Sequence, residues 1–517
     1  MPFFFQKYSK YLILLLVALV AVSNLIFSIT YNLHPDEAYY WAWSRQLDIG
    51  YFDNSPFVAY VIRFFTMIGG QNELWVRMPA FLGWLAFLFF VFQMAKKIYN
   101  KNAAWLGVLI ALFVPLVTSG SHIMTHDIPM IFFASLTWYF LYYAIEKGKK
   151  EAWYWVGLFF GLALFSKFQA ILIGLAVFLM LLVRPSKRNI LLTKEPYIAA
   201  VIGFIMFLPV LYWNWQHHWA AFLWQSQHGI HQQISLNKEL EFFAGQLGVF
   251  SPLLFLSFIY YTVKKLIKRD TPAEVSFLIG CFLPVFLFFC FTSLTFPASP
   301  NWPAVGYLPA IIFLAGELGN SFHNLVAIKR RLLIVYIGLA FGISILLLSL
   351  IRYPEFFVNK LNWQMSPDLI LTNGTYGWAQ LGRKIDGIIE EDFPNGKRPV
   401  PVFGDSYQVA AELQFYISKP AIVFTSREAH RNHFDYITIK KIRDFNNRPG
   451  LLVLEKKLPA GSANYFSDIT PVETMIIERF NHQIRKFNIY RFKALNAEKL
   501  YDMAVNKPLG YPGTYQD

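Results

Sequence analysis

The sequence predicts a polytopic α-helical membrane protein of about eleven spans with an exterior α/β domain at its C-terminus. Three observations carry that expectation: long uncharged apolar runs, basic residues clustered between alternate runs, and a change of texture after Arg352. With 56% hydrophobic and only 15% charged residues over 517 positions, the chain is too apolar for one soluble fold. Its net charge of +14 falls in short inter-run clusters, the pattern of cytoplasmic loops, so no nucleic-acid partner is expected. Cys281 and Cys290 share one apolar run, which argues for buried thiols and no disulfide framework.

The candidate spans are roughly 11–29, 79–95, 103–119, 128–145, 152–166, 169–183, 196–213, 242–263, 274–294, 303–320 and 332–351. Lys7 and Lys10 precede the first, no small-residue cleavage site follows it, and it is read as retained. One set of linkers carries nineteen basic residues, among them Lys96, Lys97, Lys147, Lys149, Arg184, Lys264 and Arg330. The alternate set carries five: Arg45, Arg63, Arg77, Lys167 and Lys238. Basic loops stay inside, so residues 1–351 form the membrane domain and 352–517 lie outside. There, β-rich runs (Val400–Phe403, Ala421–Phe424, Leu451–Leu454, Ile484–Phe492) alternate with helical stretches (Trp378–Ile389, Tyr407–Ile417). Its core candidates are Val402, Phe403, Leu413, Phe415, Ile422 and Val453, and its expected role is to shape acceptor access.

The polar oddities gather in outward loops. The first holds His34-Pro-Asp36-Glu37, Arg45 and the turn Tyr51-Phe-Asp-Asn54-Ser-Pro56, amid Tyr39, Tyr40, Trp41 and Trp43. Its stretches Ala38–Gln46 and Phe57–Ile68 are amphipathic and suit a membrane surface. Ionisable residues near membrane depth are costly and usually functional. Asp36 can serve as a general base, with Glu37 tuning it, since adjacent carboxylates in a poorly solvated pocket raise each other's pKa. The same string also suits a helix N-terminus, and capping and catalysis are compatible. Lys167, in the short hairpin Ser166–Gln169, can neutralise a phosphate or merely snorkel to headgroups. His126 and Asp127 read as the cap of the next span, with Asp127 as the second choice of base. A divalent cation, were one bound, would take Asp36, His126 and Asp127, although His122, His126 and Asp127 lack tight ligand spacing. The fourth loop brings His217, His218, His228 and His231, equally suited to a lid or to catalysis. In the fifth, three prolines break the helix and present Asn301 and Trp302 to a cavity.

Taken in order, five stretches resemble the bacterial family-39 glycosyltransferases of the GT-C superfamily, which include protein O-mannosyltransferases and aminoarabinose transferases acting on lipid A. They are His34–Tyr40, Tyr51–Pro56, Thr125–Pro129, Leu164–Phe168 and Pro300–Ala304, and the resemblance covers roughly residues 10–320. It implies a GT-C fold in the bacterial inner membrane and a polyprenyl-phosphate sugar as donor. The acceptor would be lipid A, a glycolipid, a polysaccharide or a protein. It implies Asp36 as catalytic base, with Lys167 and the Tyr51–Pro56 turn holding the donor phosphate. Relatives often have a basic residue or His followed by Pro-Pro where this chain has Asn54-Ser55-Pro56, which raises Arg45 and Lys167 as phosphate partners. The residues alone fit the chemistry: a single displacement with one base inverts the anomeric centre. The competing classes are a lipid-linked-sugar flippase and a non-catalytic assembly or sensor protein. Transporters, however, place ionisable groups at mid-helix and break helices in symmetric pairs.

Overall fold

A computed structural model describes residues 2–227, 234–268, 271–361, 363, 366–393, 398–425, 431–436 and 438–506. Seven described helices are long and apolar enough to cross a membrane: Lys10–Thr30, Glu73–Ile98, Asp127–Ile145, Glu195–Gln216, Ala273–Ser293, Trp302–Phe322 and Ala327–Arg352. Two bent pairs raise the number to nine if each is one span. The first, Lys101–Phe113 with Pro115–His122, turns by 70° at a proline that cannot continue the helix. The second corrects the straight span expected over 242–263. Leu236–Phe250 and Pro252–Ile267 meet at 109°, because Ser251 adopts φ 78° and Pro252 starts a new helix. The remaining two expected spans are the short apolar helices Ala152–Ser166 and Ile171–Val183.

The chain divides into two compact units. The first gathers Met1–Ser28, Arg77–Tyr212 and His228–Leu350. Its helices pack closely where side chains are small. A Cβ on Gly161 would come within 2.6 Å of Met206 and 2.9 Å of the Gly203 Cα, and one on Gly157 within 2.5 Å of the Ala199 carbonyl. This is the small-xxx-small face that lets two apolar helices meet at the backbone. The hairpin of short helices closes with an ion pair: Arg184 donates to Glu146 at 2.6 Å, and Lys187 donates to the Ile145 carbonyl at 2.7 Å.

The second unit gathers Ile29–Val76, Trp213–Gln227 and Ile351–Asp517. Its centre is a mixed sheet of β1 (Val400–Gly404), β2 (Ala421–Thr425), β3 (Gly450–Leu454), β5 (Thr470–Arg479) and β6 (His482–Phe492), in the order β2-β1-β3-β6-β5. β1 runs parallel to β2 and β3, while the β5–β6 hairpin adds antiparallel. The short pair β4 (Phe466–Ser467) and β7 (Ala494–Leu495) lies beside it. Val402, Phe403, Leu413 and Val453 are buried as expected, whereas Ile422 and Phe415 are half-buried. Phe415 packs edge-on against Trp41 at 4.9 Å, and Tyr416 Oη donates to Glu73 while accepting from the Leu33 backbone N–H. The first outward loop therefore folds as part of this unit. Its helix Pro35–Arg45 is buried on most sides and does not lie along a surface. Helix Phe57–Gly69 keeps the amphipathic form, exposing Phe64, Met67 and Ile68 and burying Val58, Ala59 and Ile62.

Candidate active site

The chemistry-bearing helix Pro35–Arg45 starts with a capping box. His34 is extended, its Nδ1 accepts from the Asp36 N–H at 3.3 Å, and its own N–H donates to Glu37 Oε2 at 2.9 Å. Glu37 is fully buried in this role. Asp36 is left with 39% of its side chain exposed and an oxygen 3.8 Å from His34 Nδ1. The two adjacent carboxylates thus divide: one holds the helix start, the other faces outward on a rigid element.

One turn further along, Tyr39 is buried, and its hydroxyl donates to Asp53 Oδ2 at 2.6 Å. The Tyr39 hydroxyl oxygen in turn accepts from the His433 backbone N–H at 2.8 Å. Asp53 is half-buried as a residue, but its carboxylate is enclosed. Desolvation lifts its pKa to about 7, the Tyr39 bond opposes the rise, and the Asp36 charge adds to it. Burial likewise pushes the His433 imidazole down to about 3, so it stays neutral. Asp53 entered the sequence reading only as part of the Tyr51–Pro56 turn, and His433 not at all. The spacing of Tyr39 from Asp36 along one helix face was the available signal.

The other first-loop candidates brace this helix. Arg45 donates to Ser44 Oγ at 2.6 Å and Thr66 Oγ1 at 2.8 Å and sits 5.2 Å from the Trp41 ring. Tyr51 stacks on Trp43 at 4.1 Å, its hydroxyl lying 3.1 and 3.0 Å from the carbonyls of Trp43 and Gln46. Asn54 Oδ1 accepts from the Ser55 N–H at 3.0 Å, a local turn bond. From the fourth loop, Gln225 donates to the Asp53 carbonyl at 2.8 Å, and Trp213 donates to Asp48 Oδ2 at 3.3 Å. His217 stacks on Trp213 at 4.0 Å. His228 and His231 lie outside the described residues.

In the first unit, three expected site residues come together. Lys167 interrupts two helices in an extended conformation, and its Nζ donates to Asp127 Oδ1 at 2.8 Å. Asn301 Nδ2 donates to Asp127 Oδ2 at 3.0 Å. Asp127 is thereby shared between a cation and an amide. His126 is buried, and burial together with the Lys167 charge holds it well below its usual pKa. Trp302 is stacked on Phe296 at 5.8 Å in the proline-broken turn. An apolar cavity of about 50 Å³ in this unit is lined by Gly83, Trp84, Phe87, Ile128, Ile131 and Tyr307, among others.

The cation set considered from sequence is not assembled: among the described residues no group of three or more His, Cys, Asp or Glu side chains could hold a metal ion. Asp127 is instead committed to Lys167 and Asn301.

Residues 53–213 match the family model described as dolichyl-phosphate-mannose-protein mannosyltransferase. The lipid A galacturonosyltransferase RgtD of Rhizobium johnstonii is 28% identical over 313 residues, which is 59% of this chain and 64% of that protein. The chain thus spans under two thirds of this relative's length. Among solved structures, ArnT from Cupriavidus metallidurans bound to undecaprenyl phosphate aligns with a TM-score of 0.62 at 16% identity, over 93% of this chain and 98% of that one. The chain has the GT-C fold. ArnT in the apo state gives 0.61 at 17% identity, over 98% and 100%. The oligosaccharyltransferase of Archaeoglobus fulgidus in its apo form shares the GT-C fold more distantly, at 0.53 and 12% identity over 87% and 70%.

Proposed function

We propose that this chain is an inverting glycosyltransferase of the inner membrane. It would move a sugar from a polyprenyl phosphate to a lipid A-type acceptor on the outer face. The observation that carries this reading is the 28% sequence identity over 313 residues to a lipid A galacturonosyltransferase. In support, Asp36 is a partly exposed carboxylate on a braced helix, as a general base must be to meet an acceptor hydroxyl. Asp36 takes the proton of that hydroxyl, its oxygen bonds to the anomeric carbon, and the carbon–oxygen bond to phosphate breaks with the electron pair leaving on phosphate. Lys167, held within the first unit by Asp127, which Asn301 also contacts, supplies ammonium hydrogens to a phosphate oxygen.

The test uses purified full-length protein, undecaprenyl-phosphate-linked sugars including galacturonic acid, and lipid A, with product followed by mass spectrometry. Wild type should transfer one of these sugars. Asp36→Asn keeps the shape and removes the base, so turnover should fall about 10²–10⁴-fold with donor binding retained. Near-normal turnover in Asp36→Asn would move the base elsewhere. Movement of lipid-linked sugar across vesicles without any transfer would favour a flippase.

A further inference from the structure

The pair Asp53–Tyr39 is unused by that mechanism, and its geometry is that of a brace on the helix that carries Asp36. Tyr39 lies three residues after Asp36, on the same helix face. Its ring is enclosed by Tyr407 at 4.5 Å, Trp43 at 5.4 Å and Phe434 at 6.3 Å. Its hydroxyl has one proton, given to Asp53, and so must offer a lone pair to the His433 N–H. One oxygen thereby ties the Asp36 helix, the Tyr51–Pro56 turn and segment 433–436 together within one unit. Gln225 pins the Asp53 carbonyl from a fourth element.

We propose that Asp53 is a positioning residue for sugar transfer: through the Tyr39 hydroxyl it locks the Asp36 helix onto segment 433–436, and its ionised form keeps that lock closed. The inference rests on Asp36 being the base. The groups that face the pair are Asp36 on the helix, Tyr407 on the neighbouring helix, and His433, Asp435 and Tyr436 on the segment, with Arg431 against Tyr436. When Asp53 is ionised it can only accept, which fixes the Tyr39 proton and the lone pair shown to His433. When Asp53 is protonated the bond from Tyr39 is no longer charge-assisted, which roughly halves its strength, and the carboxyl gains a proton of its own to donate. The lock therefore loosens as pH falls through about 7. Stability moves the other way. A carboxyl with its folded pKa raised binds protons more tightly folded than unfolded, so it weakens the fold as pH rises from its unfolded value toward 7.

These opposite signs give the experiment. Full-length wild type, Asp53→Asn and Tyr39→Phe are compared by transfer kinetics from pH 5.5 to 8.5, by thermal melting at pH 8, and by hydrogen exchange of the peptide spanning His433. Asp53→Asn should lose about tenfold to a hundredfold in kcat with little change in KM, lose the wild-type rate limb near neutrality, and melt no lower than wild type at pH 8. Tyr39→Phe should expose the His433 amide to exchange, and Asp53→Asn should expose it partly. If Asp53→Asn keeps the wild-type limb, or loses melting temperature in step with activity, the proposal is overturned. Unchanged exchange at His433 in both variants also overturns it. That readout needs no sugar transfer, so it stands apart from the fate of the proposed reaction.

Discussion

Lys167 and Asp127 are mostly buried and 2.8 Å apart, so removing either leaves the other charge enclosed without its ion-pair partner. Breaking such a pair costs about 3–5 kcal/mol, whereas replacing both partners with apolar residues of similar size is often neutral. Lys167→Met should therefore lower the melting temperature of the purified protein, and Lys167→Met with Asp127→Leu should recover much of it. Neither should bind a polyprenyl phosphate as tightly as wild type, and Lys167→Arg should bind better than Lys167→Met. A double variant that regains both stability and donor binding would deny Lys167 any part in holding phosphate. The Lys167 and Asp127 motifs were visible in the sequence because each breaks a long apolar stretch. Their mutual contact was not, since forty residues separate them. Asp53 was hidden for another reason: a carboxylate in a Tyr-Phe-Asp-Asn turn looks solvated, and only folding encloses it against Tyr39.

Among the elements, the helix Pro35–Arg45 was legible because capping is local chemistry. The His-Pro-Asp-Glu string contains the whole capping box. The 109° break at Ser251 was not, because an apolar run gives the same hydropathy straight or bent, and Pro252 suits the first turn of a helix. Strand β5 also escaped the sequence. It is an edge strand with mostly exposed residues, Pro471 near its start and register shifts at Pro471/Glu473 and Ile477/Glu478, so its alternation is interrupted. Close helix contact is the element-scale property open to test. Gly161 leaves no room for a side chain against Met206 and Gly203. Gly161→Leu should destabilise the protein by about 1–3 kcal/mol or more by overpacking, seen as a lower melting temperature in detergent. Gly248, with open space at its Cβ position, is the control: Gly248→Ala should melt at or slightly above wild type.

At the scale of the whole molecule, the parity of the spans matters more than their number. Ala152–Ser166 has 15 residues, about 22 Å of helix against a hydrocarbon core of about 30 Å, so length alone does not make it a crossing. The ion pair of Glu146 with Arg184, and Lys187 on the Ile145 carbonyl, bring the start and end of this helical hairpin to one level. Whether its two arms cross fully or turn back within the bilayer, the chain leaves on the side where it entered. Parity is then set by the seven straight spans and the two bent pairs, each counted as one crossing. With the N-terminus inside, as the basic residues on alternate linkers predict, nine crossings would put residues after Arg352 outside. The prediction follows with Cys281 and Cys290 replaced by Ser. An impermeant maleimide added to intact spheroplasts should label Ser467→Cys, which is exposed, and should label the exposed Lys149→Cys only after permeabilisation. Labelling of both from one side would break the parity argument, and with it the placement of the Asp36 loop and the C-terminal sheet on the outer face.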